Sequence, residues 1–292
     1  MLYQGDTVMA TKNTFMRFPG GRAKAFTLSY DDGVEQDIKL MSIFDKYGLK
    51  CTFNINSGSF AEEGTVFEPG NVHRHLTKAA TLATYSGGNH EVALHTHNHP
   101  HLECLTSSEV VYQVMKDREV LEEMFGRPIR GLAYPYGTYN DAVVDALRAC
   151  GVVYARTVVS TESFDMPKDW LRLPATCHHK NPRLMELGEK FLDMQLRDGA
   201  HAPKLFYLWG HSYEFEQNDN WDIIDKFCAM ISGKDDIWYA TNMEIFEYTE
   251  AYNRLVWALD SKYVYNPTSF TIWFAHAGKQ YVINPGEQIK VD

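Results

Sequence analysis

Basic stretches are missing from this sequence. Its 28 Lys and Arg are outnumbered by 38 Asp and Glu, the formal net charge is −10, and the cationic residues form no patch or stripe. A nucleic-acid surface needs such a patch, so that class of partner is excluded. A strongly anionic polymer is a poor substrate for the same reason. Long apolar runs are also missing. Nothing approaches the ~20 residues of a membrane span, and residues 1–21 hold no apolar segment of the kind a secretory leader requires. Cysteine is scarce and unorganised: Cys51, Cys104, Cys150, Cys177 and Cys228 are odd in number, scattered, and without a CxxC pair. Four of them sit in apolar or strand-like surroundings and read as small core residues. A reducing compartment fits that usage. These absences together lead to the expectation of a cytoplasmic protein with no membrane or nucleic-acid partner.

What is present is ordinary in composition and regular in pattern. Apolar residues make up 45% and charged residues 23% of the 292, enough for one large core with a small appendage. Short runs rich in β-branched and aromatic residues fall at 24–30, 50–56, 91–95, 131–134, 152–156, 205–209 and 237–240. Helical patterns alternate with them at 35–47, 107–125, 140–150, 182–196, 219–231 and 243–259. Strand–helix alternation of this kind predicts parallel strands joined by right-handed crossovers. With seven units the expected fold is α/β, a closed or nearly closed (β/α) barrel. Residues 262–292 alternate differently, with Asn-Pro at 266–267 and Asn-Pro-Gly at 284–286, and read as antiparallel strands. The expected division is a barrel domain over residues 1–258 and a small β-rich extension over 259–292.

The polar clusters follow the strands. Asp31 and Asp32 come after the first, His95 to His99 after the third, Tyr134 to Gly137 after the fourth, and His211 after the sixth. In a (β/α) barrel that rim is where chemistry is built. An Asp-Gly pair alone is more often an Asx turn, and a lone His more often a solvated loop residue. The cluster His95-Thr96-His97-Asn98-His99 beside an Asp pair is different. Two imidazoles and a carboxylate form a coordination set that leaves positions open for water and substrate. Tyr134, Tyr136, Trp170, Trp209 and Tyr213 lie close to these motifs.

The two motifs, Asp31-Asp32-Gly33 and His95-Thr96-His97-Asn98-His99, resemble those of the polysaccharide deacetylase (NodB-like) family, the fourth family of carbohydrate esterases. The resemblance covers residues 24–241. It implies a distorted seven-stranded (β/α) barrel and a hydrolase that removes N-acetyl groups from an amino sugar, oligosaccharide or polysaccharide. It further implies Asp31 as catalytic base and Asp32, His95 and His99 as ligands of a divalent metal. Zinc is the expected ion, with Co, Ni or Fe accepted by the same donors. Ala133-Tyr134-Pro135-Tyr136 stands where the family has Arg-x-Pro-Tyr, so the Tyr136 backbone N–H would serve the oxyanion, with Pro135 and Gly137 shaping the turn. The family's Arg is replaced by Ala133, and Arg156 and Arg172 are the candidates to supply a guanidinium from neighbouring strand ends. Leu208-Trp209-Gly210-His211 resembles the Leu-x-His motif, shifted by one. Leu208 and Trp209 compete for its apolar role, and His211 would be the general acid. Asp165, Asp169 and Trp170 offer material for the remaining motif, and His178 and His179 for the cleft wall. The rival expectations are a related amide or cyclic-imide hydrolase on the same fold and an inactive sugar-binding protein.

Overall fold

The computed structural model describes residues 13–292; residues 1–12, on which part of the leader reading falls, lie outside the described residues. The chain divides into two compact units. One comprises residues 24–194 and 204–247; the described part of the other comprises residues 13–23, 195–203 and 248–292.

The larger unit is built on parallel strands. Lys24–Asp31 pairs with Cys51–Ile55, which leads through Glu91–Leu94 and Gly131–Ala133 to Tyr154–Ser160. On its other side Lys24–Asp31 pairs with Lys204–Gly210, and its first residues also take Ile237–Tyr239. All seven strands read from the sequence recur, with ends shifted by a few residues. One further segment closes the barrel. Leu173–Ala175 lies on Tyr154–Ser160, and Cys177–His178 lies on Lys204–Gly210. Between them Thr176 N donates to Tyr207 O at 2.9 Å, and Tyr207 N donates to Thr176 Oγ1 at 3.0 Å. The two short pieces, one holding Pro174, carry no period-2 signal, which is why residues 173–178 did not read as a strand.

Alternation along the strands decides which side chains face the helices. Phe26, Leu28 and Tyr30 join Phe53, Leu94 and Leu208 in the main apolar core. The intervening residues point the other way and form a polar interior. Asn54 Nδ2 donates to Ser29 Oγ at 2.8 Å, Thr27 Oγ1 to Asn242 Oδ1 at 2.9 Å, and Tyr154 OH to Glu91 Oε1 at 2.7 Å. Buried polar groups persist only when paired in this way. The helices are locally specified. Ser107–Phe125 begins with a capping box, Thr106 on Glu109, one residue ahead of the Ser pair. Asn140 caps Asp141–Ala149. Lys78–Tyr85, too short for a strong 3.6 period, was not anticipated.

The smaller unit holds two antiparallel sheets. Ile272–His276 pairs with both Thr14–Arg17 and Lys279–Ile283, and Tyr263–Tyr265 pairs with both Val256–Trp257 and Gln288–Lys290. The helix expected over 243–259 ends earlier, as Asn242–Asn253, and Val256–Trp257 is a strand, in keeping with its β-branched and aromatic residues. All five cysteines are free, with Cys104 exposed and the rest buried. Among the described residues no helix is long and apolar enough to cross a membrane.

Candidate active site

Four strand ends meet at one pocket of about 510 Å³, lined among others by Asp31, Asp32, His95, His99, Tyr136, Trp209 and His211. The backbone there is strained. Asp32, Thr96, His99 and Tyr136 have φ of 85, 66, 52 and 56°, left-handed values for residues that are not glycine. Each costs about 1–3 kcal/mol, and such outliers gather where side-chain direction matters more than stability.

Asp32, His95 and His99 bring one potential ligand atom each to within 4.8 Å of the others. His95 Nε2 lies 3.5 Å and His99 Nε2 3.9 Å from Asp32 Oδ1, and the two ring nitrogens are 3.1 Å apart. The tautomer of His95 is set by its back side. Nδ1 lies 2.8 Å from Ala133 O, a carbonyl that only accepts, so Nδ1 carries a proton and Nε2 is the nitrogen that faces the pocket. Burial, reinforced by His95, depresses His99 to about 4, so it is neutral and able to ligate. Burial alone would raise the Asp32 carboxyl. A hydrogen bond from His73, then the charges of His211 and His95, hold it well below the usual range. This donor set suits a divalent cation. A second group, His178, His211 and Glu214, is equally close-set, but it suits a cation poorly. His178 Nδ1 accepts the Lys180 N–H at 3.1 Å, which leaves the proton of the neutral ring on Nε2, facing Glu214.

Asp31 is buried and held by two groups. Asn54 Nδ2 donates to Oδ1 at 2.8 Å, and the Arg156 guanidinium pairs with Oδ2. Burial would raise Asp31, but Arg156 first, then His95 and His211, bring it below the ordinary value of 3.8. Arg156 is itself buried, lies 4.3 Å over the Trp209 ring, and is the register partner of Ala133 on the neighbouring strand. Its guanidinium reaches Asp31 from the strand Tyr154–Ser160. Arg172 does not reach Asp31. It pairs with Asp169 and Asp141, each at 2.6 Å, beside a different cavity. Asp165 lines that same cavity and pairs with Lys204, while Trp170 packs edge-on against Phe246.

His211 approaches the same Asp31 oxygen as Arg156, Nε2 to Oδ2 at 3.8 Å. Its Nδ1 lies 3.5 Å from Glu214 Oε2. That oxygen also meets His178 Nε2 at 3.2 Å and His179 Nε2 at 3.1 Å, and Lys180 Nζ lies 2.7 Å from Oε1. Burial would lower His211, but Glu214, followed by Asp31 and Asp32, raises it above 6.5. Trp209 takes the pocket side of its strand, and Leu208 belongs to the apolar core. Pro135 opens a tight turn that presents Tyr136, whose ring stacks on His101 at 4.0 Å and meets His99 edge-on at 4.5 Å.

Sequence reasoning missed Asn54, Glu214, His73 and Asp117. Only Asp117 had a signal: it shares the buried helix stripe of Val110, Val114 and Leu121, where a lone carboxylate is out of place. It accepts from Ser57 N at 2.8 Å and His95 N at 3.0 Å, and burial pushes it up to about 7. Asp117→Ala leaves both N–H groups buried and unpaired, so the expected loss is about 2–5 kcal/mol in urea denaturation. A folded-state pKa raised above the unfolded 3.8 stabilises the fold below that pH. The contribution is lost as pH rises from the unfolded value to about 7, so the wild-type advantage over the variant should narrow between about pH 4 and pH 7 and stay level above that.

The polysaccharide deacetylase family model matches residues 10–155, half of the chain. The chain belongs to the polysaccharide deacetylase family. A chitooligosaccharide deacetylase of Azorhizobium caulinodans is 25% identical over 169 residues, 57% of this chain and 66% of that protein. A Bacillus subtilis protein, YlxY, described as uncharacterized, is 29% identical over 121 residues. That match covers 41% of this chain and 33% of YlxY, so the chain spans less than two thirds of either relative. A solved putative polysaccharide deacetylase from Mycobacterium smegmatis has the same fold, with a TM-score of 0.56 at 16% identity over 81% of this chain and 93% of that one. In this member of the family the parallel strands are accompanied by antiparallel strands, most of them from the C-terminal residues.

Proposed function

We propose that the protein is a divalent-metal-dependent hydrolase that removes N-acetyl groups from an amino sugar or an oligosaccharide of such sugars. The observation that carries this is the convergence of Asp31, Asp32, His95, His99 and His211 from separate strand ends on one pocket. Asp32, His95 and His99 are the proposed ligands and zinc the proposed ion. The ion would supply Lewis acidity and a lowered pKa for water.

The remaining work falls to side chains and backbone. Asp31, kept ionised by Arg156 and Asn54, takes the proton of the attacking water. The Tyr136 N–H donates to the oxyanion that forms on the acetyl carbon, where one such donor is worth about 3 kcal/mol. His211, whose pKa Glu214 helps to raise above 6.5, gives its proton to the departing nitrogen, because an amide anion is a poor leaving group. Arg156, fixed over Trp209, orients the base. Trp209, Tyr136 and Tyr213 at the pocket wall offer rings to the apolar face of a sugar.

The test is the metal content of the purified protein, with acetate release from N-acetylglucosamine oligomers before and after chelation. The expected outcome is one equivalent of metal and acetate release that chelation abolishes and added zinc restores. Release untouched by chelation would remove the metal from the reading. Bound metal without release from these oligomers would redirect the search to other amides and imides.

A further inference from the structure

Asp32 has a second carboxylate oxygen, and a further imidazole meets it. His73 Nε2 lies 3.0 Å from Asp32 Oδ2. His73 belongs to none of the motifs. It arrives on residues 56–77, the long connection between the strand Cys51–Ile55 and the helix Lys78–Tyr85. Connections beyond about 12–15 residues without regular structure are uncommon in compact domains and usually functional.

The end of this connection is tied down on both sides of His73. Glu35 N donates to Arg74 O at 2.8 Å and Leu76 N to Gly33 O at 3.1 Å, around an antiparallel bridge between Val34 and His75. His75 Nδ1 lies 3.0 Å from the carbonyl oxygen of Asp32 itself. Gln36 Nε2 donates to Val72 O at 2.7 Å, and Arg74 pairs with Glu35 at 2.6 Å and Glu216 at 2.8 Å. The segment 72–76 is thereby clasped to the turn that carries Asp32 and to the helix that follows His211. The Tyr213 ring meets His73 edge-on at 4.7 Å.

We propose that His73 is a positioning residue for the metal ligand: its Nε2–H donates to Asp32 Oδ2 and leaves Oδ1 as the ligating oxygen. Oδ1 is the oxygen that faces His95 and His99. The inference rests on the metal reading above. The turn at Asp32, with φ at 85°, sets where its side chain starts, and the clasp holds the carboxylate in one orientation. Partners of this kind around ligating groups typically change metal affinity by about 10–100-fold.

The experiment is zinc affinity of the full-length protein by competition with a chromophoric chelator, alongside the thermal melt of the metal-free form. His73→Ala is expected to bind zinc about 10–100-fold more weakly. His73→Gln, which places an amide N–H near the same spot, is expected to recover most of that loss. Arg74→Met, which loosens the clasp, should shift affinity in the same direction and carries the test if His73→Ala does not fold. Asp32→Ala is the reference for a lost ligand. Wild-type affinity in His73→Ala with loss in Asp32→Ala would overturn the positioning role and leave the metal site standing. Wild-type affinity in Asp32→Ala would overturn the metal reading itself. A loss in His73→Gln as deep as that in Asp32→Ala would make His73 a ligand and overturn positioning by a hydrogen bond.

Discussion

Asp31→Asn is expected to lower kcat for acetate release by about 10²–10⁴-fold while leaving bound metal in place. Asn keeps the shape of Asp and an oxygen able to accept from the Asn54 amide, but it has no basicity with which to take the proton of water. The proposed ligands Asp32, His95 and His99 are untouched, so metal content separates loss of the base from loss of the site. The substitution also strips a buried guanidinium of its counter-charge, since Arg156 pairs with Asp31 with both side chains buried. Breaking such a pair from one side typically costs about 3–5 kcal/mol, so turnover is to be measured well below the melting temperature of the variant. Near-wild-type turnover in folded, metallated Asp31→Asn would remove Asp31 as the base.

His211→Ala is expected to cost a similar factor, about 10²–10⁴, and its neighbour Glu214 should show why. The proposed acid, His211, can donate only while protonated, and Glu214 is the leading cause of its pKa standing above 6.5. The activity governed by this group is therefore present below the raised pKa and falls as pH rises through it. In Glu214→Gln the leading stabilising charge is gone and burial is opposed only by Asp31 and Asp32, so the basic limb of the kcat/KM profile should move to lower pH. The acidic limb, set by Asp31, should stay at or below the ordinary carboxylate value of 3.8. A basic limb in the same place for wild type and Glu214→Gln would sever Glu214 from the acid step.

Much of this site is legible in one dimension because each motif is local. Asp31 and Asp32 are adjacent at a strand end, where successive side chains diverge. His95 and His99 share one loop, and Pro135 and Tyr136 one turn. The seven strands were equally legible, since each is a short β-rich run between helical patterns. Other features were hidden because they are relations between distant segments. Thr14–Arg17 becomes a strand only by pairing with Ile272–His276, and no local period announces that. Arg156 and Arg172 looked interchangeable as guanidinium donors. Sheet register put Arg156 beside Ala133 and on Asp31, while Arg172 was taken by Asp169 and Asp141.

By itself the sequence determined the barrel and the order of its elements, because periodicity and motif spacing are properties of neighbouring residues. Tertiary structure alone decided what surrounds the proposed reactive groups: Asn54 on Asp31, Asp117 on the backbone of His95, Glu214 on His211 and His73 on Asp32. Those partners set charge and direction at the pocket. Most of them come from other elements, and strand register, helix packing and loop path place them there.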